Sequence, residues 1–182
     1  LGLGLQKIAS NYISGIILLL EGQATVGDYV ALDNGEEGTI VKTTARAMIL
    51  ETFDGRWIVV PNEDFITTRV VNYSDQGSAN RYEVGFRVRF DTDLDKLPGI
   101  VEAAVASHPA VLDKPMPPDC EFRDFAETGF DFAVEFWVNG IDDGKNKFTS
   151  DVRFLIWKAL KENGIEVPFP PRMLILRPED MA

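Results

Sequence analysis

LGLGLQKIASNYISGIILLL, residues 1–20, is long enough as a helix to reach about 30 Å, near the apolar thickness of a bilayer. Its polar residues are not scattered. Gln6, Lys7, Ser10, Asn11 and Ser14 follow at spacings of one, three or four, so they share one side. Leu5, Ile8, Ala9, Tyr12, Ile13, Ile16, Ile17 and Leu20 cover the other. Gly2, Gly4 and Gly15, with Ala9, Ser10 and Ser14, keep the helix slim and let neighbouring helices approach closely. A single membrane anchor needs neither a wet stripe nor small contact positions. A helix packed in a ring around water needs both. A secretion signal is disfavoured, because the only basic residue is Lys7 and no A-x-A follows. A helix lying flat on lipid would carry several cations on its polar face. A helix of a soluble core stays open, since the unbroken apolar run 16–20 is short. The chain begins with Leu1 rather than Met, which predicts further sequence upstream.

The remaining composition mostly excludes. A length of 182 residues permits one large domain or two small ones with a buried core. A formal charge of −11 argues against a nucleic-acid partner, which would require a basic surface. The lone Cys120 rules out an intrachain disulfide. His108, ahead of Pro109, reads as a surface residue with no histidine or cysteine to work with. Asp91, Asp93, Asp95 and Glu102 imitate a calcium loop. Lys96, however, stands where that loop needs glycine, and Asp93 suits a helix start. Gly2-x-Gly4 lacks the strand and third glycine of a nucleotide site, and Asp142-Asp143 has no nucleophile beside it. No catalytic residue, metal or cofactor is expected.

After a polar hinge at 21–28, the pattern turns to strands. Residues 29–32, 38–44, 45–53 and 56–60 read as strands joined by Asn34-Gly35 and Asp54-Gly55 turns, and 67–73 reads as a fifth. Such a run of short Val-, Ile- and Thr-rich strands predicts a small closed barrel. Pro61-Asn62 ends its fourth strand. Beyond it come an alternating strand at 81–90, a helix at 94–107, strands at 120–126 and 130–138, a helix at 146–163 and a short strand at 165–167. That order is ferredoxin-like. A stiff Pro168-Phe169-Pro170-Pro171 link then leads to a strand at 173–176, which needs other copies of the chain to pair with. The class is therefore α+β: helix 1–22, Sm-like β-domain 23–73, ferredoxin-like domain 74–167, and C-terminal strand and tail 168–182.

LGLGLQKIASNYISGIILLLEG, then VGDYV, IVVPNEDF and IEVPFPPR, together resemble the small-conductance mechanosensitive channel (MscS) family over essentially the whole chain. The wording LQKIASNYISGIILLLEG is most similar to its larger, many-helix members. The resemblance implies the second half of a pore helix followed by a hollow cage, built as a homoheptamer. It places the channel in the bacterial inner membrane, with the β and α/β domains in the cytoplasm. Tension would open it and release solutes in hypo-osmotic shock. By the same resemblance Leu3 matches a gate leucine, Leu5 a leucine touching outer helices, and Gly15 a bending point. Asn11 matches an asparagine that faces the asparagine of the Pro61-Asn62 pair. With Leu3, the residues Gln6, Lys7 and Ser10 are the expected pore lining. Lys7 stands where well-known members carry a hinge glycine; lysine favours helix by nearly 1 kcal/mol over glycine, so bending there should be harder.

Two other readings fit parts of the chain. A soluble Sm-like ring that binds RNA would need a basic patch, yet residues 27–72 offer only Lys42, Arg46, Arg56 and Arg69 against several acids. A ferredoxin-like small-ligand regulator would need a polar pocket between subunits.

Overall fold

The computed structural model describes residues 2–74 and 79–169, with side chains from Leu5 onward. The side chain of Leu3, the strand at 173–176 and nearly all of the C-terminal segment 168–182 lie outside the described residues. The chain divides into two compact units, Leu1–Asn80 with Val138–Lys147, and Arg81–Trp137 with Phe148–Ala182.

The first unit opens on α1 (Gly2–Glu21), followed by β1 (Tyr29–Leu32), β2 (Glu37–Thr43), β3 (Ala47–Glu51), β4 (Trp57–Pro61), α2 (Asn62–Thr67) and β5 (Val70–Asn72). All five expected strands are present, in the order β4-β3-β2-β1-β5. Tyr29 faces Thr39, Thr39 faces Glu51, Met48 faces Val60 and Val30 faces Asn72, all antiparallel. No ladder joins β4 to β5 among the described residues, so the strands form an open sheet where the sequence predicted a closed barrel. The β1–β2 turn uses Gly35 at φ +83°, a conformation that side chains resist. Leu18, Val30, Ile40, Met48, Leu50, Val60 and Phe65 make the core, so the lower end of α1 is rooted in the sheet.

Helix α2 is a correction. The sequence reading ends a strand at Pro61 and continues with no helix; in the structure Pro61 also starts one, with Glu63 and Asp64 in its first turn. Proline beside a helix start and acids near its positive end are both favourable.

The second unit contains most of β6 (Ala79–Val88) and β9 (Phe130–Asn139), with α3 (Leu97–Ala106), β7 (Val111–Leu112), β8 (Asp119–Phe125) and α4 (Phe148–Glu162). Strand β9 is central, flanked by β6 and β7, and β8 also pairs with it. Val84, Val88, Val134 and Phe136 are buried, as are Leu97, Val101 and Val105 of α3 and Val152, Ile156 and Leu160 of α4. The ferredoxin-like order holds up to its closing strand. Residues 165–167 form no ladder; two backbone bonds, Arg89 N–H to the Glu166 carbonyl at 3.2 Å and Ile165 N–H to the Leu160 carbonyl at 2.9 Å, tie them down. Pro168 removes the next donor. His108 is also not a free surface residue. Its ring stands edge-on to Phe148 and its Nε2 lies 3.6 Å from Asp151, because α4 packs over the loop that carries it.

The outward face of this sheet carries paired charges. Arg123 bonds Glu83 at 2.7 Å and Glu121 and Glu135 at 2.9 Å, Arg81 bonds Glu135 at 2.7 Å, and Arg87 bonds Asp131 at 2.8 Å. Four of the chain's 29 carboxylates, Glu83, Glu121, Asp131 and Glu135, are thus paired with arginine on this face. The hydrogen bond and charge of Arg87 hold the Asp131 carboxyl below its ordinary range. The pair therefore stabilises the fold above that ordinary range and stops doing so as the pH falls through the lowered value. Melting temperature followed from about pH 5 down to pH 2 should drop less steeply in Asp131→Asn than in the parent. Equal slopes would show that the pair contributes nothing.

Candidate functional site

Helix α1 meets the β-domain along one edge. Counting 100° per residue, Asn11, Ser14, Gly15 and Leu18 share that edge, and all are half-buried or buried. Ser14 is 6% exposed and Leu18 1%. This corrects part of the sequence reading. The polar stripe runs as expected, but its lower half, Asn11 and Ser14, is covered by the chain's own β-domain and not by water. Gln6 and Lys7, nearer the start, are exposed, and Ser10 is half-buried.

The contact has a defined chemistry. The start of α2 has no side-chain cap of its own, since Pro61 occupies the cap position. Asn11 supplies one from the other helix: its Oδ1 accepts the Glu63 backbone N–H at 3.0 Å, an otherwise orphaned donor. The Asn11 amide group donates to the Lys7 carbonyl at 3.0 Å and to Glu63 Oε2 at 3.5 Å. Asn62, 0% exposed, donates through Nδ2 to the Asn11 carbonyl at 3.4 Å and the Thr44 carbonyl at 3.3 Å. Its backbone N–H reaches the Arg46 carbonyl at 3.0 Å. The Asn62 Oδ1 has no partner. Turning the amide over would aim that oxygen at two carbonyls, so the observed orientation is the favourable one.

Gly15 makes the approach possible. A Cβ there would sit 2.5 Å from Asn62 Nδ2 and 2.9 Å from the Ala45 carbonyl oxygen, closer than van der Waals contact allows. Above it, Lys7 and Arg46 border a crevice of about 580 Å³ walled by Ile8, Tyr12, Val59 and Pro61. Lys7 therefore lies on the docked side of α1, and Leu5 lies exposed on the opposite side. That opposite side is apolar and uncovered: Leu5, Ile13, Ile16, Ile17, Leu19 and Leu20 are all exposed, and Ile8 and Tyr12, at the crevice, are exposed as well. Soluble monomers rarely leave such a continuous apolar face in water. No helix among the described residues is long and apolar enough to cross a membrane.

Of the residues singled out beforehand, the structure brings Asn11, Gly15, Pro61 and Asn62 into one contact. Gln6, Lys7 and Ser10 lie above it. Glu63, Ala45 and Leu18 were missed as partners; for Glu63 a signal existed in Pro61-Asn62-Glu63-Asp64, which reads as a helix start. Among the described residues no cluster of His, Cys, Asp or Glu is placed to hold a metal ion.

The leading helix is thus pinned to a five-stranded sheet by one polar edge. The β-domain of mechanosensitive ion channels matches residues 7–75, and the C-terminal domain of MscS matches residues 82–167. The chain belongs to the MscS family of mechanosensitive ion channels. It is 30% identical over 169 residues to the mechanosensitive channel MscK of Escherichia coli K12, matching 93% of this chain and 15% of that protein. It is also 30% identical over 178 residues to an MscS family protein of Archaeoglobus fulgidus, matching 96% of this chain and 60% of that one. The crystal structure of Helicobacter pylori MscS in its closed state superposes with a TM-score of 0.75 at 25% identity, covering 96% of this chain and 68% of that one.

Proposed function

We propose that this chain is the pore base and cage of a homo-oligomeric, expectedly heptameric, tension-gated channel of the bacterial inner membrane. Its β and α/β domains lie in the cytoplasm, and its opening releases ions and small solutes in hypo-osmotic shock. The observation that carries this reading is the division of α1 into a polar edge docked on its own β-domain and a continuous exposed apolar face. Such a face suits lipid, upstream helices and neighbouring copies. In this reading residues 1–22 are the lower pore helix, 23–73 and 74–167 the two cage domains, and 168–182 a strand shared between copies.

The gate needs only water and area. A ring of Leu3 side chains excludes water because wetting an apolar constriction is unfavourable, and Gln6, Lys7 and Ser10 continue the lining below it. Tension favours whichever state takes more membrane area. Leu5 packs against outer helices, while Asn11 and Gly15 against Pro61-Asn62 set how firmly the helix is held.

Replacing Leu3 with Ser in the full-length protein should wet the constriction, giving leaky cells that grow poorly. Normal growth with an unchanged opening threshold would remove Leu3 from the gate. Mass measurement of the full-length protein in detergent tests the assembly. Seven copies are expected, and a monomer at every concentration would end the pore reading.

A further inference from the structure

The segment that joins α1 to β1, residues 22–28, is polar and carries two glycines at positive φ, Gly22 at +64° and Gly27 at +103°. Such a composition suits a free hinge. The structure instead ties the segment down along most of its length. The Gly22 N–H closes the helix end on the Leu18 carbonyl at 3.0 Å. Ala24 is buried in the same core as Leu18, so both sides of Gly22 are anchored. Residues 25–28 make a tight turn, in which the Asp28 N–H donates to the Thr25 carbonyl at 3.1 Å and Gly27 takes the position that favours glycine. The Gly27 N–H donates to the Ile40 carbonyl and the Ile40 N–H to the Asp28 carbonyl, both at 2.8 Å, which fastens the turn to β2.

Two side chains complete the ties. Asp28 Oδ2 accepts the Thr25 N–H at 2.9 Å, the Thr25 hydroxyl at 3.2 Å and the Asn72 amide at 3.0 Å. Asn72, in β5, donates from the same nitrogen to the Gln23 carbonyl at 3.2 Å, and its Oδ1 accepts the Ser74 N–H at 3.0 Å. One side chain of the sheet thus holds both ends of the link, at Gln23 and at Asp28. Both Asp28 and Asn72 are half-buried, and hydrogen bonds to a carboxylate are stronger than those between neutral groups. Swinging α1 about this link would break several of these bonds together.

We propose that Asp28 and Asn72 are positioning residues for gating: they bind the link to the sheet, so that the foot of α1 moves with its β-domain and opening bends the helix above Leu18. The proposal rests on the channel reading above and specifies where the moving part of α1 ends. Bending a helix costs backbone hydrogen bonds, whereas swinging it on a loose link does not. A firm link therefore raises the tension needed to open the pore.

Hydrogen exchange and patch recording on the full-length protein test it together. Asn72→Asp removes the amide donor and sets a second carboxylate against Asp28 and the Gln23 carbonyl. Combining it with Asp28→Asn exchanges the two groups: the new amide can donate to the new carboxylate, and its oxygen can still accept the Thr25 N–H. Asn72→Asp should speed exchange over residues 22–28 by about tenfold or more, with little change over β2 and β3. It should also open at lower tension than the parent. The exchanged pair should return both quantities most of the way to the parent values, which a mere loss of side-chain volume would not do. Unchanged exchange over 22–28 in Asn72→Asp would overturn the proposal. Equal acceleration over β2 and β3 would do so too, because the pair would then hold the sheet as a whole. A loosened link with the parent's opening tension would remove the role in gating, as would an exchanged pair that recovers neither quantity. In all these cases a parent that opens under tension leaves the channel reading standing. A parent that passes no current overturns that reading and the gating role with it, whatever the link amides do.

Discussion

Asn62→Asp is expected to release α1 from the β-domain while leaving the sheet folded. The substitution is nearly isosteric, so any effect comes from charge and donors. The Asn62 amide points two hydrogens at the carbonyls of Asn11 and Thr44, 3.4 and 3.3 Å away, in a position with no exposed surface. A carboxylate there loses both bonds and faces two oxygens with no cation among its contacts. Leaving a buried group in that state costs roughly 3 kcal/mol, or about 100-fold in the docking equilibrium. Hydrogen exchange should therefore accelerate by about that factor over α1, with little change over β2 and β3. Unchanged protection of α1 would show that Asn62 is not what holds it.

Gly15→Val should produce the same release by a different route. A Cβ at this position already collides with the Asn62 amide and the Ala45 carbonyl, and a branched side chain has no direction on that edge free of the β-domain. The amide can rotate away; the backbone carbonyl cannot do so without moving the β2–β3 turn. Valine gains part of the helix propensity that glycine forfeits, a few tenths of a kcal/mol. Overpacking costs more, on the order of 1–3 kcal/mol, so the net effect is destabilising. Ile16→Val, one position along on the exposed side, serves as the control and should be nearly neutral. A Gly15→Val protein with α1 still protected would mean that the helix can slide along its seat.

What could be read from the sequence depended on what periodicity encodes. The spacing of Gln6, Lys7, Ser10, Asn11 and Ser14 identified the residues that share a side of α1. It carried no information about what covers that side, and for Asn11 and Ser14 the cover is the chain's own β-domain. The strands announced themselves through Asn34-Gly35 and Asp54-Gly55, since few other dipeptides accept those turns. Helix α2 was missed because six residues are too few for a helical period to emerge. Its start was nevertheless written in Pro61-Asn62-Glu63-Asp64. The partnership of Asn11 with Asn62, some fifty positions away, came from family resemblance, and that with Glu63 did not come at all; no local pattern points across such a distance. The strand at 165–167 failed for a complementary reason. Ile165 and Val167 have the propensity for a strand, but a strand also needs a partner edge; here the Ile165 N–H is taken by the Leu160 carbonyl of α4, and toward β6 the Glu166 carbonyl makes a single bond, to the Arg89 N–H.

Channel activity itself is the most direct test of the account. Full-length protein in a membrane patch, under a slow ramp of suction, should open stepwise at a reproducible tension, and Leu3→Ser should lower that tension or leave the pore open at rest. A patch containing verified protein that stays silent up to rupture would contradict the claim that α1 lines a tension-gated pore.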